Sequence, residues 1–187
     1  MREIDKMKAG LEYCYDEEEI SLMKLNAVEN SKLYDSIDNS DLDKQHEVLC
    51  EILGSVGDGV WIAKHFCFDN GKNIFIGNNF TGNFNLTILD IKEVYIGDNV
   101  MIGPNTTITT VGHPLSPKKR RGHLAQASTI RIGNDVWLGA NVTILPGVTI
   151  GNNVVIGAGA VVTKDIPDNS LAVGVPARVV KEIENDL

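Results

Sequence analysis

The chain has 187 residues, a formal net charge of −8 and a hydrophobic fraction of 43%. That length fits one main domain with a small appendage. The acidic balance argues against a dedicated nucleic-acid-binding protein, because such domains are usually basic. The first ten residues lack the apolar core of a signal peptide, and no apolar run reaches the roughly 18 residues of a membrane span. We therefore expect a cytoplasmic protein without a membrane partner.

The cysteines are odd in number and far apart, at Cys14, Cys50 and Cys67. This spacing fits neither a disulfide framework nor a zinc site. It predicts a reducing compartment and three small buried hydrophobic side chains.

Residues 1–54 are predicted to form a helical N-terminal cap. The acids of residues 16–19 favour a helix start. The apolar residues that follow at roughly helical spacing are Ile20, Met23, Leu25, Ala27 and Val28. A second helix is predicted from Leu42 to Leu53, with Asp41 as its N-cap and Gly54 as its C-cap. Its predicted apolar stripe consists of Leu42, His46, Leu49, Ile52 and Leu53.

Residues 55–187 carry a six-residue repeat. Its inward positions are Ile132, Leu138, Ile144, Ile150, Ile156 and Val162, and the apolar positions four residues later are Val136, Val142, Val148, Val154, Ala160 and Ile166. This period matches neither a helix nor an alternating strand and is typical of a parallel β-helix. Gly and Asn are expected at corners that need positive φ. A buried sheet with regular loops is the alternative, which six hexads in phase disfavour. The cap would cover the open strand edges at one end.

The hexads before this stretch are less regular. They begin at Val56, and the register slips by two residues at Ile76 and again before Ile96. We attribute these slips to the atypical terminal part of a repeat array. After Val162 the tail is expected to hold one extended segment, a Gly-Val-Pro turn and a short terminal strand or helix.

Residues 110–128 interrupt the repeat and are predicted to form a functional loop. The inward positions here are Pro114, Arg120 and Gln126, which are not aliphatic. Polar excursions from rigid scaffolds often carry function. The loop contains His113, which Pro114 restricts to extended geometry. Imidazole titrates near neutrality and suits a general base, and a structural histidine is the alternative.

The chain resembles the maltose/galactoside O-acetyltransferase family of hexapeptide-repeat acyltransferases, which includes nodulation O-acetyltransferases. The motifs that carry the resemblance are MKAGLEYCYD (7–16), GNFNLTILD (82–90), IGDNVMIGPNTTITTVGHPLSP (96–117), residues 130–169 and GVPARVVKEI (174–183). The resemblance implies a left-handed parallel β-helix, whose hand the hexads alone do not give. It also implies a homotrimer with active sites between neighbouring solenoids. Acetyl-CoA is the implied co-substrate and a small sugar the implied acceptor, with no metal.

Site residues follow from the resemblance by position. His113 corresponds to the catalytic base, and Asn83 would contact the acceptor or the base from the adjacent subunit. The implied acceptor-binding residues are Asp69, Asp16, Asn85 and Asp90. Asn83 and Asn85 would also suit a simple solenoid corner. At the family's next acceptor position, often acidic, this chain has Asp90 followed by Ile91.

The resemblance also places the cofactor. The implied coenzyme A contacts are Trp137, Gly139, Ala140, Ala158, Thr163, Lys164, Arg178 and Lys181. Small corner residues would let pantetheine run along the backbone, and an N–H near Gly139 or Ala140 would stabilise the tetrahedral oxyanion. The cations would face the phosphates. The basic run of residues 118–121 is read as a solvated or phosphate-facing patch rather than a nucleic-acid site.

The sequence therefore predicts an acetyl-CoA-dependent O-acetyltransferase that acts on a sugar hydroxyl by direct transfer. No acyl-enzyme is expected, because the serine nearest to His113 is predicted to be Ser116 and no cysteine lies near. Three alternatives stay open: another acceptor such as serine or an antibiotic, a γ-carbonic-anhydrase-like metalloenzyme, and a non-catalytic scaffold. The physiological acceptor does not follow from the sequence.

Overall fold

The computed structural model describes residues 1–186. The N-terminal part forms α1 (Glu3–Lys8), β1 (Tyr13–Cys14), α2 (Glu18–Ser36) and α3 (Leu42–Ile52). The predicted N-cap of α3 is confirmed, since the carboxylate of Asp41 accepts a hydrogen bond from the Lys44 amide at 3.1 Å. Sequence reasoning missed α1 and β1, because both are too short to show a periodicity.

The buried faces of α2 and α3 differ from the predicted stripes. Helix α2 buries Ile20, Ala27 and Tyr34, which are seven residues apart, whereas Leu25 and Val28 are exposed. Helix α3 buries Gln45, Val48, Leu49 and Ile52 and exposes Leu42.

The end of α3 also differs from its prediction. Gly54 is not a left-handed C-cap, because it has no positive φ. A Cβ at Gly54 would lie only 2.6 Å from the carbonyl oxygen of Lys72, so glycine permits a close approach of two backbones. The cap is joined to the solenoid by the buried hydroxyl of Tyr34, which donates to the Ile62 carbonyl at 2.7 Å.

The rest of the chain winds through three parallel sheets as a left-handed β-helix. The first sheet holds β2 (Ser55–Val56), β5 (Ile74–Ile76), β8 (Val94–Ile96), β13 (Ile130–Ile132) and β16 (Thr149–Ile150). The second holds β3 (Trp61–Ile62), β6 (Thr81–Gly82), β9 (Met101–Ile102), β14 (Val136–Leu138), β17 (Val154–Ile156) and β19 (Ser170–Val173). The third holds β4 (Cys67–Phe68), β7 (Thr87–Leu89), β10 (Thr107–Thr109), β15 (Thr143–Ile144) and β18 (Val161–Val162). The inward aliphatic residues of the hexads fill one continuous core, as predicted.

Asn residues and the hexad glycines have different structural roles at the corners of the solenoid. Positive φ falls mostly on Asn and Asp, as at Asn99, Asp135 and Asn153, and at a few corners on glycine, as at Gly147 and Gly159. The hexad glycines Gly133 and Gly151 lack positive φ, and a Cβ at Gly133 would sit 2.7 Å from the backbone of Gly151. These glycines are needed because successive coils touch there, not because of their own dihedral angles.

The register slips have a regular cause. Ile76 pairs with Val56 and with Ile96, so these coils repeat every 20 residues rather than 18. The two additional residues always fall where the third sheet turns into the first, at residues 69–73 and 90–93. The slip is therefore confined to one edge of the N-terminal coils, because later in the chain Ile132 pairs with Ile150 only 18 residues further on.

The interruption of the repeat is an ordered excursion from this same edge. It contains β11 (Val111–Gly112), α4 (Pro117–Arg121) and β12 (Leu124–Ala127). Strand β12 pairs antiparallel with β11 and with β1, where Tyr13 lies opposite Ala125. A second apolar cluster underneath contains Ile4, Met7, Tyr13, Ile20, Ile91, Ala125 and Ala127. The first part of the cap and the excursion thus share a second core, whereas Ala27, Tyr34 and the buried apolar residues of α3 belong to the core of the solenoid.

The tail ends in β20 (Arg178–Glu182), which pairs antiparallel with β19. The terminal element is thus a strand. All three cysteines are free, but Cys50 and Cys67 are exposed and Cys14 is half-buried, so the prediction of buried cysteines is wrong. Among residues 1–186, every helix is too short or too polar to cross a bilayer.

Candidate active site

His113 follows β11 on the exposed side of the excursion. Its Nδ1 lies 3.1 Å from the carbonyl oxygen of Leu124 on β12. A carbonyl can only accept, so Nδ1 carries the proton and donates it. In the neutral ring Nε2 is then unprotonated and available as a base. The hairpin therefore holds the imidazole and also selects the tautomer that a general base needs.

Two depressions flank His113. The first, of about 280 Å³, is lined by Glu12, Gly112, His113, Pro114, Gln126, Ser128 and Pro146. The second, of about 200 Å³, is lined by Tyr13, Tyr15, Lys24, Val111, His113 and Ala125. The imidazole thus stands between a cavity on the excursion side and a cavity on the cap side. Two substrates that meet at one base require this kind of arrangement.

Tyr15 and His123 form the wall beside the base. The Tyr15 ring meets His113 edge to face at 5.3 Å and stacks on His123 at 5.3 Å. His123 Nδ1 lies 2.9 Å from Asp16 Oδ2. Asp16 therefore lies near His113, and one of its carboxylate oxygens contacts His123. The sequence analysis gave His123 no role in the site. The sequence did carry one signal for this aromatic wall. Tyr13 and Tyr15 alternate in an extended segment, and alternate side chains of a strand share a face.

Asp69 lies on the cap side of the site. Its carboxylate is mostly buried and sits 3.7 Å from the ammonium of Lys24. Burial raises the pKa of Asp69, and the Lys24 charge opposes that shift. Burial and the nearby Asp69 charge raise the pKa of Tyr13 to about 12. The structure thus brings Asp69 together with two residues that line the cap-side cavity.

The prediction that Asp90 binds the acceptor is wrong. Its side chain is fully buried, so it offers no surface to an acceptor. Its carboxylate accepts the amides of Asp69, Asn70 and Asn73 at 3.0, 2.9 and 3.3 Å. Burial raises the pKa of Asp90 to about 6, against the lowering effect of the Asn70 and Asp69 amides. Asp90 therefore positions the turn that carries Asp69.

Asn83 and Asn85 lie on a different edge, where the second sheet turns into the third. Asn83 Oδ1 accepts the Phe84 amide at 2.8 Å. Asn85 has positive φ and donates its side-chain amide to Asn105 at 2.8 Å, as a corner residue does. In one chain the third sheet separates both residues from His113.

The same edge carries the small residues implied for the cofactor. Gly139 donates its amide to the Ile156 carbonyl at 2.8 Å, so this N–H is already used between coils and is not an oxyanion donor. Within residues 1–186 no hydrogen bond engages the amide of Ala140, which leaves it available. Ala158 is exposed one coil further on. Trp137 is half exposed on the second sheet, in register with Met101, and does not lie near the excursion.

The predicted polar cofactor contacts are divided between the two edges. Thr163 and Lys164 are exposed where the third sheet turns into the first, the edge that carries His113. Arg178 and Lys181 are exposed on β20, which extends the second sheet. One chain therefore does not bring all four together.

Ser116 and Ser128 are the two serines of the excursion. Ser128, at the end of the hairpin, lines the excursion-side cavity with His113, whereas Ser116 caps α4. Among residues 1–186 no hydrogen bond joins Ser128 to His113. The described part of the chain also contains no cluster of three metal-ligating side chains.

Comparisons with known proteins agree with this fold. Residues 129–164 match the family model described as bacterial transferase hexapeptide (six repeats). The chain is 49% identical to the galactoside O-acetyltransferase of Escherichia coli K12 over 78% of its own length and 72% of that protein. A maltose O-acetyltransferase from Clostridium difficile 630 superposes with a TM-score of 0.94 at 39% identity, covering 99% of both chains. A hexapeptide-repeat acetyltransferase from Vibrio cholerae, solved with acetyl-coenzyme A, gives 0.89 at 32% identity over 99% of this chain and 100% of that one.

Proposed function

Because the chain belongs to the maltose/galactoside O-acetyltransferase family and is an acetyltransferase, we propose that it transfers the acetyl group of acetyl-CoA to a sugar hydroxyl. The observation that carries the proposal is His113, whose Nδ1 donates to the Leu124 carbonyl and whose side chain lies between two cavities that it helps to line. A related acetyltransferase was solved in complex with acetyl-coenzyme A, which supports acetyl-CoA as the donor. A cytoplasmic location stays a prediction.

The chemistry is a direct displacement at the thioester. His113 Nε2 removes the proton of the acceptor hydroxyl as that oxygen bonds to the thioester carbon. The carbonyl oxygen becomes an oxyanion, for which the free Ala140 amide is the donor we propose. The carbon–sulfur bond then breaks, and the thiolate of coenzyme A takes the proton from the imidazolium. The products are the O-acetyl sugar and coenzyme A, with His113 regenerated.

The acceptor is assigned to the cap side. Asp69, Asp16 and Lys24 supply charged hydrogen-bonding groups there. Tyr13 and Tyr15 add aromatic surface, which suits the apolar face of a sugar ring. We assign Thr163 and Lys164 to the cofactor. They lie on the same edge of the solenoid as His113, and they are further towards its C-terminal end than the excursion-side cavity.

The site we propose lies between two copies of the chain. Asn83, Ala140 and Ala158 stand on one edge and His113 on another, so the two sets meet only if neighbouring solenoids place unlike edges together. The second sheet supports this packing, because its outer face exposes Trp61, Met101 and Trp137 in register. A closed ring of three copies is the simplest assembly of that heterologous kind.

Mixing inactive variants tests the shared site. His113→Ala and Asn83→Ala proteins would each be inactive alone. Refolded together at equal amounts, they should regain about a quarter of the wild-type rate, since one interface in four then combines an intact His113 with an intact Asn83. No recovery, or a monomer in sedimentation equilibrium, would refute a site built from two subunits.

A panel of acceptors tests the reaction. Coenzyme A release would be followed with maltose, glucosides, galactosides, serine, an amino sugar and chloramphenicol, and acetylated products identified by mass. We expect release that depends on a sugar and yields an O-acetyl ester. Selective acetylation of serine or chloramphenicol would overturn the sugar assignment. Thiol release with none of them would overturn the proposed function.

A further inference from the structure

The basic run of residues 118–121 has an internal role that its composition does not reveal. Arg120 Nη1 donates to the carbonyl oxygens of Pro114 and Leu115 at 3.0 and 2.6 Å. These two residues directly follow His113 in the chain. One guanidinium nitrogen thus binds two successive carbonyl groups of the backbone that follows His113.

The other cations of the run differ from Arg120. Lys119 binds both carboxylate oxygens of Glu12 at 3.0 Å, which ties α4 to the segment before β1. Lys118 and Arg121 are exposed, and neither side chain makes a hydrogen bond or ion pair within residues 1–186. Two of the four charged side chains therefore bind to the protein itself, whereas Lys118 and Arg121 face solvent.

Arg120 acts where the backbone has few other supports. Pro114 has no amide hydrogen to donate, and Leu115 is almost fully exposed. The hairpin bond from His113 Nδ1 to Leu124 fixes the ring on one side only. Two charge-assisted hydrogen bonds fix the chain on the other side. Because these bonds are near the surface, they add little to global stability but restrict where His113 can move.

We propose that Arg120 is a positioning residue, which holds the His113–Leu115 backbone so that Nε2 points at the reacting hydroxyl. The proposal rests on the proposed function for its kinetic consequence but not for its structural one. Misplacement of a base by about 1 Å is enough to slow proton transfer by roughly a hundredfold. Arg120 therefore affects the turnover step rather than the binding of either substrate.

The test compares Arg120→Met, Arg120→Lys and Arg121→Met. We expect Arg120→Met to lower kcat by roughly 10- to 100-fold with both KM values within about threefold of wild type. Arg120→Lys should recover part of kcat, because an ammonium can still donate to one carbonyl. Arg121→Met removes the same charge from the same helix and should leave kcat within about twofold, whatever its effect on the KM for acetyl-CoA.

A second readout does not depend on turnover. Nitrogen-15 spectra of the histidine rings report whether the His113 Nδ1–H bond persists, and amide hydrogen exchange reports the mobility of residues 113–116. Arg120→Met should speed exchange there with little change in melting temperature. A raised KM for acetyl-CoA at unchanged kcat would overturn the proposal in favour of a phosphate contact. Unchanged spectra and exchange would overturn it even if the proposed reaction itself failed.

Discussion

Asp90 makes the stability of the protein depend on pH in an unusual direction. Its carboxylate is fully buried, and burial raises its pKa to about 6, against roughly 3.9 in an unfolded chain. Between these two values the folded protein holds a proton that the unfolded chain has released. Stability from this group is therefore present at low pH and is lost as the pH rises through about 6.

The size of the effect follows from the shift. Two pKa units correspond to about 3 kcal/mol in total, of which roughly 1 kcal/mol falls between pH 5 and pH 7. The matched variant is Asp90→Asn, which keeps the shape and one acceptor oxygen but cannot ionise. Denaturant unfolding of both proteins at one fixed concentration gives the free energy of unfolding at pH 5, 6 and 7.

The difference between the two proteins isolates Asp90 from every other titrating group. We expect the wild type to lose about 1 kcal/mol relative to Asp90→Asn as the pH rises from 5 to 7. A difference that is independent of pH, or one that grows in favour of the wild type with rising pH, would refute the assignment. In that case the amides of Asp69, Asn70 and Asn73 would outweigh burial and keep the carboxylate ionised.

Three further predictions concern two contacts that stabilise the fold and one contact beside the proposed acceptor site. Tyr34→Phe removes the buried bond to the Ile62 carbonyl and should cost about 1–3 kcal/mol of unfolding free energy, measured by denaturant unfolding; an unchanged midpoint would contradict the contact. Gly133→Ala places a methyl group 2.7 Å from the backbone of the next coil, so a loss of at least 1–3 kcal/mol is expected by the same measurement, and a neutral result would contradict the close approach. Lys24→Met removes the positive charge that lowers the pKa of Asp69, so Asp69 should take up its proton at a higher pH in this variant. The acceptor KM of the variant should therefore begin to rise at a higher pH than that of the wild type as the pH is lowered, and coincident pH profiles would count against Asp69 as an acceptor contact.

The solenoid could be predicted because its rule is local. Each hexad of the regular stretch buries apolar residues at two positions, such as Val142 and Ile144, and each coil stacks on a similar neighbour. The excursion could not be predicted in detail, because β1 pairs with residues more than 100 positions away at Tyr13 and Ala125. No pattern within one segment reports such a partner.

For the candidate site too, the local sequence pattern pointed to one residue but not to its partners in the fold. His113 was identifiable from its place at the break in the repeat and from the family resemblance. The identity of its supports was not, because Leu124 contributes only a carbonyl oxygen and Arg120 resembles its exposed neighbours in sequence. Asp90 was misassigned to the acceptor because a buried carboxylate and a surface carboxylate look alike until the turn at residues 69–73 folds over it.

The central claim is that His113 is the base for acetyl transfer to a hydroxyl. The most direct measurement is coenzyme A release from acetyl-CoA, with and without a sugar acceptor, by wild type, His113→Ala and His65→Asn. His65 is an exposed corner histidine with positive φ, which asparagine also tolerates. We predict sugar-dependent release that falls by roughly 10²- to 10⁴-fold in His113→Ala and persists in His65→Asn. Full activity in His113→Ala would contradict the account.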